Sequence, residues 1–315
     1  MDFADTQQRA SALRLPSKAW LIALIAAFVF ALAFASMREA SERSHEEVLT
    51  ALDAQVRFAV ISVDTRIEVE IQQLRDLAAS ERFKRREFDE FFKEARAFAQ
   101  RTRRQVVLFD VPRNTQVFNT AYDARLADGA RFMQKSELDS LRPDRPYISN
   151  LFYAPLVQKN LIAVGVPVTE GGRILYLLGV ALDPAEILSA VKEATLTKGT
   201  VTAVVDRNGV ILARSAENDR YAGREAPANA TKRPEKSGRY KSATFDGVPI
   251  DLSYLQSELT GWAAVSFVPD RSDSKWPLAA ALIAALAVVL LGSIRAIVSN
   301  AGRRRATDSG SADKE

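Results

Sequence analysis

The chain of 315 residues carries 43 Lys+Arg against 39 Asp+Glu, a formal net charge of +4, with a single histidine and no cysteine. That inventory excludes disulfide scaffolds and thiolate metal sites, and one histidine excludes Ser-His-Asp, Cys-His and multi-histidine centres. The charge balance is too even to argue for a nucleic-acid partner.

Apolar residues make up 47% of the chain, yet its mean hydropathy is only -0.09, so the apolar weight is concentrated. After a tail (1–19) containing Arg9, Arg14 and Lys18, the run Trp20 to Ser36 is free of charge, and so is Trp276 to Ile294. Each approaches the ~20 residues that an α-helix needs to cross a bilayer core of roughly 30 Å. Arg295 and the cluster Arg303, Arg304, Arg305 follow the second run. Basic residues beside a span stay cytoplasmic. The expected topology is therefore two spans (20–36 and 276–294) in the inner membrane, both termini cytoplasmic, and residues 37–275 extracytoplasmic. Ala33-Phe34-Ala35 has the shape of a signal-peptide cleavage site. The run is long for a signal's apolar region, which favours an anchor.

From Met37 the pattern is helical. Val48, Leu49, Leu52, Val56, Val60, Val63, Ile67, Ile71, Leu74 and Leu77 recur mostly at steps of three or four, and neither Gly nor Pro occurs from Met37 to Val111. This is one amphipathic stripe, expected to pack on its own domain distally and to form a parallel dimer seam near the membrane. A second helix follows through Phe88, Phe91, Phe92, Ala95 and Phe98.

At Gln105 the period changes to two. QVVLFD (105–110), the turn DVPRN and TQVFNT (115–120) predict a hairpin, followed by a short helix from Met133 to Leu141. Strand signals return at 148–155, 161–168 and 173–183, the last two separated by Gly171-Gly172. Asp183-Pro184-Ala185-Glu186 then opens a helix to about Glu193, with Asp at the N-cap and Pro in the first turn. The order repeats in smaller form: strands at 202–206 and 210–215 around Asn208-Gly209, a charged loop (217–237), then strands at 238–245, 248–256 and 262–268. Two tandem units of antiparallel sheet with helices predict an α+β fold. They divide the extracytoplasmic part into a helical segment (37–102), a distal unit (103–195) and a proximal unit (196–270). The tail 295–315 is basic, then Ser/Asp-rich, and is expected to be disordered; topology anchor, docking segment and contact with anionic lipid all fit it.

VVLFD, VFNT, ISNLFYAPLVQKNLIAVGVPV, YLLGVALDPAEIL, AVVDRNGVILARS and TFDGVPIDLSYLQSELTGWAAVSFVP carry a resemblance. Over most of 37–295 the chain resembles the double Cache (tandem PAS-like) sensory region at the N-terminus of bacterial histidine kinases, without the kinase. The first hairpin departs from the pattern, because DVPRN lacks the glycine such turns usually carry. The resemblance implies extracytoplasmic sensing of a small molecule, a homodimer, and a signalling partner in the cytoplasm or membrane.

No catalytic residue, metal or cofactor is expected. Gly171-Gly172 is a turn rather than a phosphate loop, and no carboxylates read as an acid/base pair. His45, in SHEEVLTAL, superficially matches a phosphoacceptor box, but its expected extracytoplasmic position makes it a solvated helix residue. The candidate ligand residues are Asn119, Thr120, Tyr122, Arg145, Tyr147, Asn150 and Tyr153, polar and aromatic groups near the distal sheet. Arg145 offers a fork to a carboxylate, or is a surface charge between two prolines. Asp183 matches in position the aspartate that the resemblance assigns to a ligand amine, and is equally a helix cap, the preferred reading. The Arg-x-Trp-Tyr part of the amino-acid signature is missing, so an α-amino acid ligand is not supported. The alternative function is an envelope scaffold that uses the PAS-like units for protein contacts alone.

Overall fold

The computed structural model describes residues 17–121, 133–154, 157–227 and 235–270, together with residues 280, 283, 284 and 287. The chain divides into a compact unit, Glu47–Asp270, and a second made of Met1–Glu46 with Arg271–Glu315.

Helix α1 (Ser17–Ala78) runs for 62 residues. With no Gly or Pro to interrupt it, propagation costs little once the helix is nucleated. Within Glu47–Asp270 it buries one line, Leu52, Val56, Ala59, Val63, Ile67, Ile71 and Leu74, each at most 4% exposed. The expected stripe thus faces its own domain. Among the described residues no helix is long and apolar enough to cross a membrane. The run 20–36 is helical within α1, with side chains described from Phe28 onward, and of the run 276–294 only Ala280, Ile283, Ala284 and Ala287 are described.

A short α2 (Glu81–Lys84) and α3 (Phe88–Thr102) follow. Helix α3 buries Phe91, Ala95, Phe98 and Ala99 and ends on Arg103 in the left-handed region. The first antiparallel sheet comprises β1 (Gln105–Asp110), β2 (Thr115–Asn119), β3 (Tyr147–Ile148), β4 (Phe152–Ala154), β5 (Lys159–Glu170) and β6 (Arg173–Leu182). Its order is β2-β1-β6-β5-β3, with β4 also on β5. Asn114 takes φ 52 in the glycine-free β1–β2 turn, since Asn tolerates the left-handed region better than other non-glycine residues. The stretch 148–155, read as one strand, is broken between β3 and β4. There the Leu151 N–H leaves the ladder for Asp206 Oδ2, 3.1 Å away in the second sheet's first turn.

Two further helices follow: α4 (Lys135–Ser140), beside the first sheet, and α5 (Ala185–Ala194), which packs on the first two strands of the second. The second sheet is β7 (Val201–Val205), β8 (Ile211–Arg214), β9 (Ser237–Ala243), β10 (Pro249–Gln256) and β11 (Ala263–Pro269), ordered β8-β7-β11-β10-β9. A single helical turn, α6 (Asn218–Tyr221), follows β8. A long helix followed by two antiparallel sheets is the α+β arrangement.

One core joins the helices to the first sheet. Val106, Leu108, Ile162, Val164, Leu178 and Val180 face α1 and α3, and Phe83, Phe91 and Phe118 interlock at 4.8 and 5.8 Å between ring centroids. Strand alternation turns the intervening residues to the opposite face. That face holds the candidate site.

Candidate functional site

The free face of the first sheet is paved with small residues. On β5 and β6 Ala163 lies opposite Ala181 and Gly165 opposite Gly179. Large residues at these positions would fill the space above the sheet; here a cavity of about 180 Å³ remains. Gly179 is also required by the backbone, because a Cβ there would come within 3.0 Å of the Val164 carbonyl oxygen. Val107, Phe109, Leu177, Phe152 and Met133 form apolar walls.

Four polar side chains complete the lining: Gln116, Glu137, Tyr147 and Ser149. The Tyr147 hydroxyl donates to Glu137 Oε1 at 3.0 Å, while Glu137 Oε2 accepts from the Gln134 N–H at 2.8 Å. The second contact belongs to a capping box that holds α4, and so fixes the carboxylate over the cavity. Burial, and then the Glu137 charge, push the Tyr147 hydroxyl far above its ordinary range, so it stays a donor. Ser149 is occupied: it accepts from Ala163 N at 2.8 Å and donates to Asn150 O at 2.7 Å. Gln116 Oε1 is buried and has no hydrogen-bond partner among the described residues. The lining as described offers acceptors and a hydroxyl, and no guanidinium or ammonium.

Of the residues singled out in the sequence, Tyr147 lines this cavity. Asn119 is buried and turns its Oδ1 to the Ala121 N–H at 2.9 Å. Thr120 extends the β1–β2 ladder, its N–H reaching Val106 O and its Oγ1 accepting from Val106 N, both at 2.9 Å. Tyr122 lies outside the described residues. The Arg145 side chain is 77% exposed, 4.0 Å from Asp144, beside a surface groove at the end of α1. Asn150 accepts from the Arg207 N–H at 3.3 Å. Tyr153 is exposed, because alternation along β4 turns its neighbour Phe152 to the cavity instead. Asp183 accepts the Ala185 N–H at 2.9 Å at the entry to α5, but the N-cap of that helix is Pro184, one residue later than the sequence placed it, because the helix begins only at Ala185. His45 is exposed on α1.

Glu137, Gln116, Met133 and the glycine pair carried no motif. The signal for the floor was nevertheless present: in LIAVGVPV and LLGVAL large and small residues alternate, the large ones facing the helices.

No protein-family model matches the chain, and no curated protein matches its sequence. Solved structures do match. The ligand-binding domain of the Pseudomonas fluorescens chemoreceptor CtaA, in complex with L-isoleucine, aligns at TM-score 0.56 and 13% identity, over 75% of this chain and 98% of that one. The extracellular domain of rpHK1S-Z16, named for a histidine kinase, aligns at TM-score 0.53 and 14% identity, over 75% and 99%. The ligand-binding domain of Campylobacter jejuni chemoreceptor Tlp3, with 4-methylisoleucine, aligns at 0.52 and 12%, over 73% and 94%. The fold is therefore the double Cache fold of extracellular sensory domains, as the sequence resemblance implied.

Proposed function

We propose that this chain is a membrane-anchored extracytoplasmic sensor whose ligand occupies the cavity of the first sheet. The observation that carries the reading is the cavity itself: a Gly/Ala floor held open beside a dense core, apolar walls, and a fixed Tyr147–Glu137 pair at one edge. A scaffold needing only protein contacts has no use for such a space. At about 180 Å³ it lies below the roughly 300–1,000 Å³ usual for small-molecule sites, which favours a small ligand. Acceptors at Glu137 and Gln116 favour a ligand with an N–H or O–H group over one recognised by its carboxylate. Tyr147 is the residue named from the sequence that this reading retains.

The runs 20–36 and 276–294 serve as spans, with 37–275 outside the cytoplasm. Exposed Phe58, Ile61 and Val69, on the face of α1 opposite its buried line, favour a homodimer. Ligand binding shifts the population of two packings of the first sheet, and the shift reaches a partner or output domain through α1 and the second span.

The test is a thermal-shift screen of the full chain with small amines, amides, alcohols, nucleobases and sugars. A true ligand at a hundredfold excess over Kd stabilises by about 2.7 kcal/mol. Gly165→Leu, which fills the floor, abolishes that shift without unfolding the protein. A shift that survives Gly165→Leu removes this cavity as the site, and a blank screen followed by membrane crosslinks to one stable partner favours the scaffold.

A further inference from the structure

The second sheet encloses a separate cavity of about 310 Å³, bounded by apolar residues of β7, β10 and β11, with Phe245 and Val248 at its mouth. Its lining includes one buried cation. Arg214, the last residue of β8, is 9% exposed. It stands opposite Ala203 on β7, which stands opposite Val265 on β11. The small Ala203 side chain leaves room for the guanidinium beside β7. There it sits 4.1 Å from the Tyr221 ring centroid and 5.5 Å from that of Phe267.

Among the described residues this guanidinium has no carboxylate partner, and its Nε is buried with no acceptor. The two carboxylates of the lining are engaged elsewhere. Glu217 Oε1 lies 3.4 Å from Arg220 Nη1, and Asp246 Oδ1 lies 3.5 Å from Arg220 Nη2, with the Tyr221 hydroxyl also donating to Asp246 at 3.4 Å. A buried charge is costly unless paired, and aromatic faces offset only part of that cost. Elsewhere a half-buried guanidinium is matched: Arg104 is clamped between Glu70 and Glu186.

We propose that the second sheet carries its own binding site, for a small monocarboxylate with an apolar body. Arg214 forks the carboxylate, and Ala203, Val205, Leu252 and Val265 receive the apolar part. Glu217 and Asp246 at the rim repel a second negative charge, which selects against dicarboxylates and phosphates. The site is distinct from the first-sheet cavity and does not depend on its ligand.

The test is calorimetric titration of the full chain with butanoate and benzoate, against butanamide, benzamide, succinate and inorganic phosphate. Saturable binding of a monocarboxylate and not of its amide is expected, weakened about tenfold or more by Arg214→Met. Val248→Trp at the exposed mouth blocks binding without touching the core, which keeps the test valid where Arg214→Met fails to fold. Gly165→Leu in the other cavity leaves the titration unchanged. Absence of binding by both monocarboxylates at millimolar concentration, equal binding of the amides, or binding that survives Val248→Trp overturns the proposal.

Discussion

Arg207 Nη2 donates to the carbonyl of Ile148 across 2.6 Å, one residue along the chain from Tyr147 in the cavity wall. The other Nη of the same fork donates to Thr260 O, in the turn before β11, at 2.7 Å. One guanidinium therefore ties the edge of the first sheet to the second. Asp206 adds to the seam by accepting the Leu151 N–H.

Arg207→Ala leaves two carbonyls without their charged donor, and a loss of about 1–3 kcal/mol in urea unfolding is expected. Arg207→Lys recovers less than half, because a point charge cannot serve both carbonyls. If ligand response travels through this seam, Arg207→Ala also uncouples ligand binding at the first sheet from changes in Trp262 fluorescence.

The glycine pair separates two costs. Gly179→Ala drives its Cβ to 3.0 Å from the Val164 carbonyl, a backbone atom that cannot step aside, so about 1–3 kcal/mol of destabilisation is expected. Gly165→Ala meets Leu177 Cδ1 and Cγ, both at 3.0 Å, a side chain rather than backbone, which can shift within the cavity. That variant keeps most of its stability and loses ligand affinity. Denaturant midpoints beside ligand titrations tell the two apart.

Two carboxylates on α1 have opposite pH signatures. Burial raises the Asp53 pKa, but hydrogen bonds from Arg239 and Ser253 and the Arg239 charge outweigh it and hold the group below its usual value. Its stabilisation is present above the unfolded pKa and disappears as pH falls through the folded one. Asp64 is pushed up by burial, which exceeds the lowering by its Ser257 hydrogen bond. Its contribution is fully present below the unfolded pKa and is lost as pH rises through the folded value. Asp53→Asn should therefore destabilise at neutral pH and approach the parent only as pH falls through the lowered folded pKa, whereas Asp64→Asn should stabilise at neutral pH and converge in acid. Urea midpoints across that range check both signs.

Phe58→Ser with Ile61→Ser removes apolar surface that α1 presents to solvent. The isolated fold should change by no more than about 0.5 kcal/mol, as for other surface substitutions. Light scattering should find the parent dimeric and the variant shifted to monomer; a parent that is monomeric at every concentration excludes the seam.

Much of the architecture was written in local pattern. A three-to-four-residue apolar stripe without Gly or Pro can only be a long helix, and Asn208-Gly209 between alternating apolar residues can only be a tight hairpin. Asp183 was legible as an acceptor at the entry to α5, a contact settled within three residues, although the helix takes Pro184 as its N-cap. The polar residues were harder. Gln55 lies beside the apolar stripe of α1, where periodicity assigns it no role; in the fold it is 1% exposed, and its Oε1 accepts from the Leu196 N–H at 3.0 Å and the Thr200 hydroxyl at 3.1 Å. Those partners lie some 140 residues on, beyond the reach of any periodicity.

The cavities divide in the same way. Sequence alone determined that β5 and β6 would turn large residues to one face and small ones to the other, since alternation follows from the pleat. Tertiary structure alone decided what stands above the small face: Glu137 from α4 over Tyr147 from β3, and Arg214 reaching across Ala203 to Phe267. Arg145 and Tyr153 had the right chemistry but lie on exposed backbone that turns them to solvent. A side chain's type is local information, while its partners are set by which strands the closed sheet makes neighbours.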